Sequence, residues 1–367
     1  MDERDVKDDI GVAVIGFGLA GRVFHAPFVG AVPGLRLRAI VQRSGDEAEA
    51  AYPFSTTGVR VLRSVEEALG DRAVQMVVVA TPNVTHFELA KQALEAGKHV
   101  VIDKPFAATS ACARELIGMA TERGLVLAPF HNRRWDGDFL TLKKILAEGL
   151  LGRVVTLESH FDRFRPMGKA GTWKEREGTA NGLLMDLGPH LVDQALALFG
   201  APKAILASVR RDRDVTAIED AFDITLEYER LMVYCRSTML AAEAAPRFLV
   251  HGTLGSFRKW GLDPQEPALV GGAKVPRMGD PGEWLQEDES AWGETLLAPD
   301  HGEPEQLVRT RVRTEMCDYR GFYASVRDAV LGRAELAVTA EDGFRVVKLL
   351  EMARESSRER ERLMVEF

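Results

Sequence analysis

Five short runs in the first third of the chain are mostly apolar: IGVAVI (10–15), LRLRAIV (35–41), VQMVVVA (74–80), KHVVID (98–103) and LVLAPF (125–130). A strand buried on both faces has no wet side to alternate with, so such runs predict a parallel sheet covered by helices. The segments between them carry helix signals. Ser64 and Glu67 form a capping box ahead of ALG. Gly97 closes HFELAKQALEAG, and Gly124 closes the helix before LVLAPF. Strand and helix in repeated alternation predict a doubly wound α/β domain. From about residue 131 the pattern changes. VVTLESHF, AILASVRR, DAFDITLEY and LMVYCRSTM are longer, and several alternate apolar with polar positions, as in an antiparallel sheet packed on one face. Glu229 and Arg230 read as a turn between two of them. Residues 276–305, acidic and rich in Gly and Pro, read as a long hairpin or excursion anchored by Trp284 and Trp292. The tail RESSRERERLMVEF reads as a solvated helix end with an apolar tip.

A chain of 367 residues exceeds one typical core, and two domains are expected: 1–130 and 131–367. The 46% hydrophobic and 28% charged composition is that of an ordinary globular protein. A net charge of −8 argues against a nucleic-acid partner. Cys112, Cys235 and Cys317 are far apart and form no CxxC, which argues against a disulfide framework or thiolate zinc site. The start, MDERDVKDDI, is the reverse of a signal peptide's basic opening. No apolar run is long enough to span a bilayer. The expectation is a cytoplasmic protein without membrane partners.

The first run leads into GFGLAG, which places Gly16, Gly18 and Gly21 in a GxGxxG pattern between strand and helix. There Gly16 permits a tight turn, Gly18 lets backbone approach a pyrophosphate, and Gly21 lets helix and strand pack closely. The helix start would supply N–H groups and partial positive charge to phosphates. The alternative is a glycine-rich turn with no ligand. The second strand ends in AIVQRS. An NAD site usually carries an acid about 20 residues past the motif; here Gln42, Arg43 and Ser44 stand in that region, and Asp46 is the first acid. Arg43 with Ser44 suits a 2′-phosphate, so NADP is expected ahead of NAD. Arg43 as a solvated loop residue or an adenine-stacking residue is the alternative. At the ends of the next two strands, Thr81, Pro82 and Asn83 stand where they can touch the nicotinamide side of a cofactor, and Lys104 opens a loop before a proline. Asn83 could equally cap a helix, and Lys104 alone could be a surface lysine.

MDLGPHLVDQA (185–195) sets Asp186, His190 and Asp193 four and three residues apart, on one face of a helix whose other positions are apolar. Ionisable groups beside a packed face cost desolvation energy unless satisfied or useful. Asp186 as an N-cap, His190 as a hydrogen-bonded helix histidine, and both as metal ligands are alternatives. The last ranks lowest, because no third ligand is set by local spacing.

GxGxxG, DKP (103–105) and DLGPHLVD (186–193) together resemble the Gfo/Idh/MocA oxidoreductases, over nearly the whole chain. FHAP (24–27), FHNRRWDGDF (130–139), ESHFDRFRP (158–166), HGTLGS (251–256) and GLDPQE (261–266) are similar to its scyllo-inositol 2-dehydrogenase branch. The resemblance implies a Rossmann-type first domain and a C-terminal α+β domain with a large, mainly antiparallel open sheet that binds substrate and dimerises. It implies Lys104, Asp186 and His190 as the catalytic set, with no metal. An imidazole is the natural proton acceptor near neutral pH, a lysine stabilises alkoxide character, and an aspartate orients its neighbours and balances charge. Asp103 stands where the family usually has Glu, keeping the charge with a shorter reach. The cofactor set is then Gly16, Phe17, Gly18, Leu19, Gly21, Arg43, Ser44, Thr81, Pro82, Asn83, His86, Asp103 and Lys104. Arg133, Trp135, Asp162, Arg163, Trp173 and Asp193 are expected to serve a polyol's hydroxyls, although each arginine could be an interdomain salt bridge and Trp173 a packing residue. The expected reaction is reversible hydride transfer between scyllo-inositol or a related polyol and its ketone. A sugar or deoxysugar keto-reductase is the enzyme rival, and a dinucleotide-sensing regulator is the non-enzyme rival. A homodimer is expected.

Overall fold

The computed structural model describes residues 9–46, 58–168, 175–178, 180–281, 284–298 and 306–367. They divide into two compact units.

The first unit is built on β1 (Ile10–Ile15), β2 (Leu35–Val41), β3 (Arg60–Leu62), β4 (Met76–Val79), β5 (His99–Ile102) and β6 (Leu127–Pro129). They lie in the order β3-β2-β1-β4-β5-β6 and every pairing is parallel. The order reverses between β2 and β4, on either side of β1, so the carboxyl end of β1 is the switch point where such sheets take ligands. β1 and β4 are buried at every position, which is why their runs show no alternation. The three-residue β3 lies on the sheet edge and carries too few apolar residues to be legible in sequence. At the start of Val65–Gly70, the Ser64 side chain accepts from Glu67 N as expected, and its hydroxyl donates to Glu66 Oε2.

The unit is not contiguous in sequence. Residues 266–282 and 319–344 join residues 1–132, so a single cut at 130/131 does not describe the chain. The helix Arg320–Val330 shows the physical reason. Tyr319, Phe322, Tyr323 and Val326 form an apolar stripe at helical spacing and are buried. Phe322 meets the Phe130 ring edge-on at 4.8 Å, and Tyr319 meets Phe28 at 6.0 Å.

The second unit is built on β7 (Val154–His160), β8 (Ala204–Arg210), β9 (Ala221–Glu227), β10 (Met232–Thr238), β11 (Phe248–Gly252), β12 (Gly255–Lys259), β13 (Gly293–Leu297), β14 (Val308–Val312) and β15 (Leu363–Met364). Its sheet order is β14-β13-β12-β11-β7-β10-β9-β8-β15, antiparallel except for the β7–β10 pair. β10 alternates without a break, with Val233, Cys235 and Ser237 inward. The inward face packs on Leu184, Leu187, Leu191 and Val192 of the helix Leu183–Phe199, and on Val346, Leu349, Leu350 and Ala353. Part of the 276–305 segment is strand β13, which pairs antiparallel with the next strand, β14, as a hairpin would, and Trp284 is buried as an anchor with its indole N–H on Gln265 Oε1. One sequence expectation changes here. The apolar tip of the tail is strand β15, whose Leu363 pairs with Ile205.

Candidate active site

In the first unit, β1 ends at Gly16, whose φ of +97° is open to glycine at no steric cost. A Cβ there would strike the Ala80 carbonyl, and a Cβ on Gly21 would overlap the Gly16 carbonyl. Gly18 is exposed and has nothing within 4 Å of where its Cβ would stand. Two glycines therefore serve close packing and the third leaves backbone open, an arrangement that fits a pyrophosphate above the turn. Phe17 is half-buried and Leu19 is exposed beside Gly18. After β2, Arg43 and Ser44 are exposed. Arg63 closes their loop from behind, donating to the Gln42 and Gly45 carbonyls at 2.9 Å each.

Two further loops lie at the carboxyl ends of β4 and β5. Thr81 and Pro82 lead into the short turn Asn83–Thr85, so Asn83 does not cap an α-helix. His86 is buried and ties the two loops together. Its Nε2 lies 2.8 Å from the Thr81 carbonyl, and its Nδ1 lies 2.9 Å from the Pro105 carbonyl. Asp103 Oδ1 accepts from the backbone N–H of Lys104 at 2.8 Å. Burial alone would raise the Asp103 carboxyl; the His25 ring beside it, with Lys104 and His86, outweighs burial and holds it below the usual carboxylate range. Lys104 is half-buried.

In the second unit the helix Leu183–Phe199 starts after Gly182, which has φ +93°. Asp186 is therefore in the first turn, donating its N–H to the Gly182 carbonyl, and it is not the N-cap. Its charge there favours the positive end of the helix dipole. A Cβ on Gly188 would crowd Leu350, so glycine lets this turn sit close to its neighbour. His190 and Asp193 are buried on the same helix.

Three arginines serve this region, and each meets a carboxylate. Arg163 Nη1 lies 3.1 Å from Asp186 Oδ2. Arg134 grips both oxygens of Asp193, at 2.9 and 2.7 Å. Arg133 Nη1 lies 3.1 Å from Asp136 Oδ2. Phe161 underlies two of them, with its ring 4.8 Å from the Arg133 guanidinium and 5.3 Å from that of Arg163. Gln194 adds a brace by donating to the Arg133 carbonyl and accepting from the buried Arg247.

This geometry revises several expectations. Asp193, expected to meet a substrate hydroxyl, gives both oxygens to Arg134. Asp162 accepts from Thr238 N at 3.2 Å, with His160 Nδ1 3.5 Å from its other oxygen; it fastens the ends of β7 and β10. Trp135 is half-buried, and its carbonyl accepts from Asp318 N. Trp173 lies outside the described residues. Phe161, Arg134, Gln194 and Arg247 were not singled out from sequence. A buried aromatic or amide has no local spacing signal, and Arg134 stands in the sequence only within the run FHNRRWDGDF. Among the described residues no three His, Cys, Asp or Glu side chains cluster as metal ligands, and no helix is long and apolar enough to cross a membrane.

Residues 10–131 match the family described as "Oxidoreductase family, NAD-binding Rossmann fold", and residues 143–366 match "Oxidoreductase family, C-terminal alpha/beta domain". The chain is 42% identical over 357 residues to the uncharacterized oxidoreductase YdgJ of Escherichia coli, covering 97% of this chain and 98% of that protein. It is 36% identical over 369 residues to the scyllo-inositol 2-dehydrogenase (NADP(+)) IolW of Bacillus subtilis, covering 99% and 98%. The solved structure of YPO2259 from Yersinia pestis superposes with a TM-score of 0.89 at 39% identity, covering 98% of each chain. The chain belongs to the Gfo/Idh/MocA family and is an NAD(P)-dependent oxidoreductase acting on CH–OH groups.

Proposed function

We propose that the protein interconverts an uncharged cyclic polyol, scyllo-inositol first among candidates, and its ketone, with NADP preferred to NAD. The observation that carries the substrate class is charge balance. Arg133, Arg134 and Arg163 each meet a carboxylate within 3.1 Å. An arginine left for a phosphate or carboxylate substrate would keep its fork open for bidentate pairing. Arginines already neutralised suit a substrate that brings hydroxyls and no charge. The name of the Bacillus subtilis relative supports the same class.

In this reading His190 takes the proton from the substrate hydroxyl during oxidation and returns it during reduction. Lys104 donates to the same oxygen and stabilises alkoxide character as it develops. Asp186 holds the Arg163 guanidinium, and the pair orients hydroxyls next to the reacting carbon. Arg133 serves the same purpose from above the Phe161 ring. The bound nicotinamide supplies the hydride acceptor or donor. Gly16, Phe17, Gly18, Leu19 and Gly21 would hold its pyrophosphate, Thr81, Pro82 and Asn83 its nicotinamide side, and Arg43 with Ser44 a 2′-phosphate. His86 and Asp103 would shape the two loops that carry this contact surface.

The test is to mix the protein with NADP or NAD, offer scyllo-inositol, myo-inositol, glucose and xylose, and follow nicotinamide reduction by absorbance. Reduction with an inositol, faster with NADP, is expected. Turnover only with keto sugars in the reverse direction would overturn the polyol assignment. Turnover only with an acidic or phosphorylated sugar would overturn the charge-balance argument.

A further inference from the structure

His25 is fully buried in the first unit, and neither phosphate binding nor proton transfer, as proposed above, uses it. It sits at the end of a π-helical turn, Gly21–His25, directly after the glycine motif. A π turn inserts an extra residue into the helix and re-aims the side chains at its end, and such turns recur at functional sites. Here the ring is aimed inward. It lies 4.3 Å from the Phe130 ring and meets Tyr323 at a right angle.

Its two nitrogens face different partners. Nδ1 is 2.6 Å from the Tyr323 hydroxyl. Nε2 is 3.7 Å from Asp103 Oδ1, the oxygen that also accepts from the Lys104 N–H. Tyr323 is completely buried, and burial, with the nearby Asp103 charge, pushes its hydroxyl well above its usual range. It therefore keeps its proton and can donate it to Nδ1. An Nδ1 that accepts leaves the ring proton on Nε2, which has no hydrogen-bond partner among the described residues and faces the Asp103 carboxylate at electrostatic range, 3.7 Å. The line of contacts runs Tyr323, His25, Asp103, Lys104, with every member in the first unit and 298 residues between its two aromatic partners.

We infer that His25 is a positioning residue for Lys104. Held in its Nε2–H tautomer by Tyr323, it fixes the Asp103 carboxylate, which in turn fixes the backbone where residue 104 leaves β5. The kinetic consequence rests on the catalytic role proposed for Lys104; the tautomer does not.

Two measurements on the full chain test this. In long-range proton–nitrogen spectra of protein labelled with ¹⁵N-histidine, the ring signal that disappears in His25→Gln should report an unprotonated Nδ1 and a protonated Nε2. Tyr323→Phe should shift that signal. An Nδ1–H tautomer or an imidazolium at neutral pH overturns the proposal. In kinetics, His25→Leu should lower kcat by about 10- to 100-fold, the scale on which misplacing a catalytic group acts. His25→Gln, whose amide N–H can reach the same carboxylate, should recover most of it, with dinucleotide Kd steady in both. A kcat for His25→Leu equal to wild type, or kcat and dinucleotide affinity falling together in both variants, overturns it. Should His25→Leu not fold, Tyr323→Phe replaces it, with a smaller loss of kcat expected at unchanged dinucleotide Kd and an unchanged kcat counting against. If the wild type turns over no polyol at all, the substrate reading fails, while the tautomer measurement still decides the role of His25.

Discussion

Arg163 and Asp186 are 23 residues apart in the chain and 3.1 Å apart in the second unit, joined through Nη1 and Oδ2. Both side chains are about one-fifth exposed, 20% and 22%. The pair is therefore partly open to solvent, and so to a substrate, and water screens it more than it would a fully buried pair. Asp186 was expected to orient its neighbours and balance charge, and Arg163 to serve the substrate; the structure makes Arg163 a partner of Asp186.

Arg163→Ala should separate activity from stability. Loss of a partly exposed ion pair should cost less than breaking a buried one, about 3–5 kcal/mol, so the thermal midpoint should move less than in Arg134→Ala. If the pair orients the polyol, kcat/KM should fall by about 10- to 100-fold. Steady-state kinetics beside a melting curve checks this; a variant as active as wild type removes Arg163 from the substrate contact.

His190→Ala should lower kcat by about 10²–10⁴-fold, the usual contribution of a positioned acid–base group. Dinucleotide affinity, measured by nicotinamide fluorescence, should stay close to wild type. Unchanged turnover would remove His190 from proton transfer.

Arg134 and Asp193 should behave in the opposite way to Arg163 and Asp186. Asp193 is 2% exposed and gives both oxygens to Arg134. Arg134→Ala strands a buried carboxylate, which costs about 3–5 kcal/mol. Urea denaturation should show that loss, and Arg134→Met combined with Asp193→Leu should recover much of it by removing both charges. A double variant no more stable than the single one would mean that the pair itself stabilises the unit.

The proposed preference for NADP rests on Arg43 and the loop that Arg63 braces. Arg43→Ala should raise the Kd for NADP by about tenfold or more, the value of a charge-assisted hydrogen bond, and leave the Kd for NAD nearly unchanged. Titration calorimetry with both dinucleotides distinguishes this from equal weakening, which would assign Arg43 to the adenine common to the two.

Asp103 links stability to pH. Its folded carboxyl lies below the usual range because the His25 contact, Lys104 and His86 outweigh burial. A depressed carboxylate contributes stability that is complete above its unfolded value and disappears as pH falls through the folded value. Denaturant midpoints measured from neutral pH downward should therefore fall through the acid range, and fall less steeply in Asp103→Asn. Parallel slopes for the two proteins would show that Asp103 carries no such linkage.

Much of this protein was legible in its sequence because the relevant signals are local. Uninterrupted apolar runs require burial on both faces, and β1, β4, β5 and β6 follow from that, while β2 alternates through Arg36 and Arg38 before its apolar end. Gly21 follows from backbone geometry within a few residues, and β10 from its period of two. Asp186, His190 and Asp193 share a helix face by spacing. What a charged side chain pairs with is not local. Asp193 turned to Arg134, 59 residues away, and Asp162 to the backbone of Thr238. The helix Arg320–Val330 returned to the first unit because its aromatic stripe finds Phe28 and Phe130 there, and it brought Tyr323 to His25. Only the tertiary structure fixed these partnerships, because a buried charge or ring takes whichever partner packing brings within reach, at any separation along the chain.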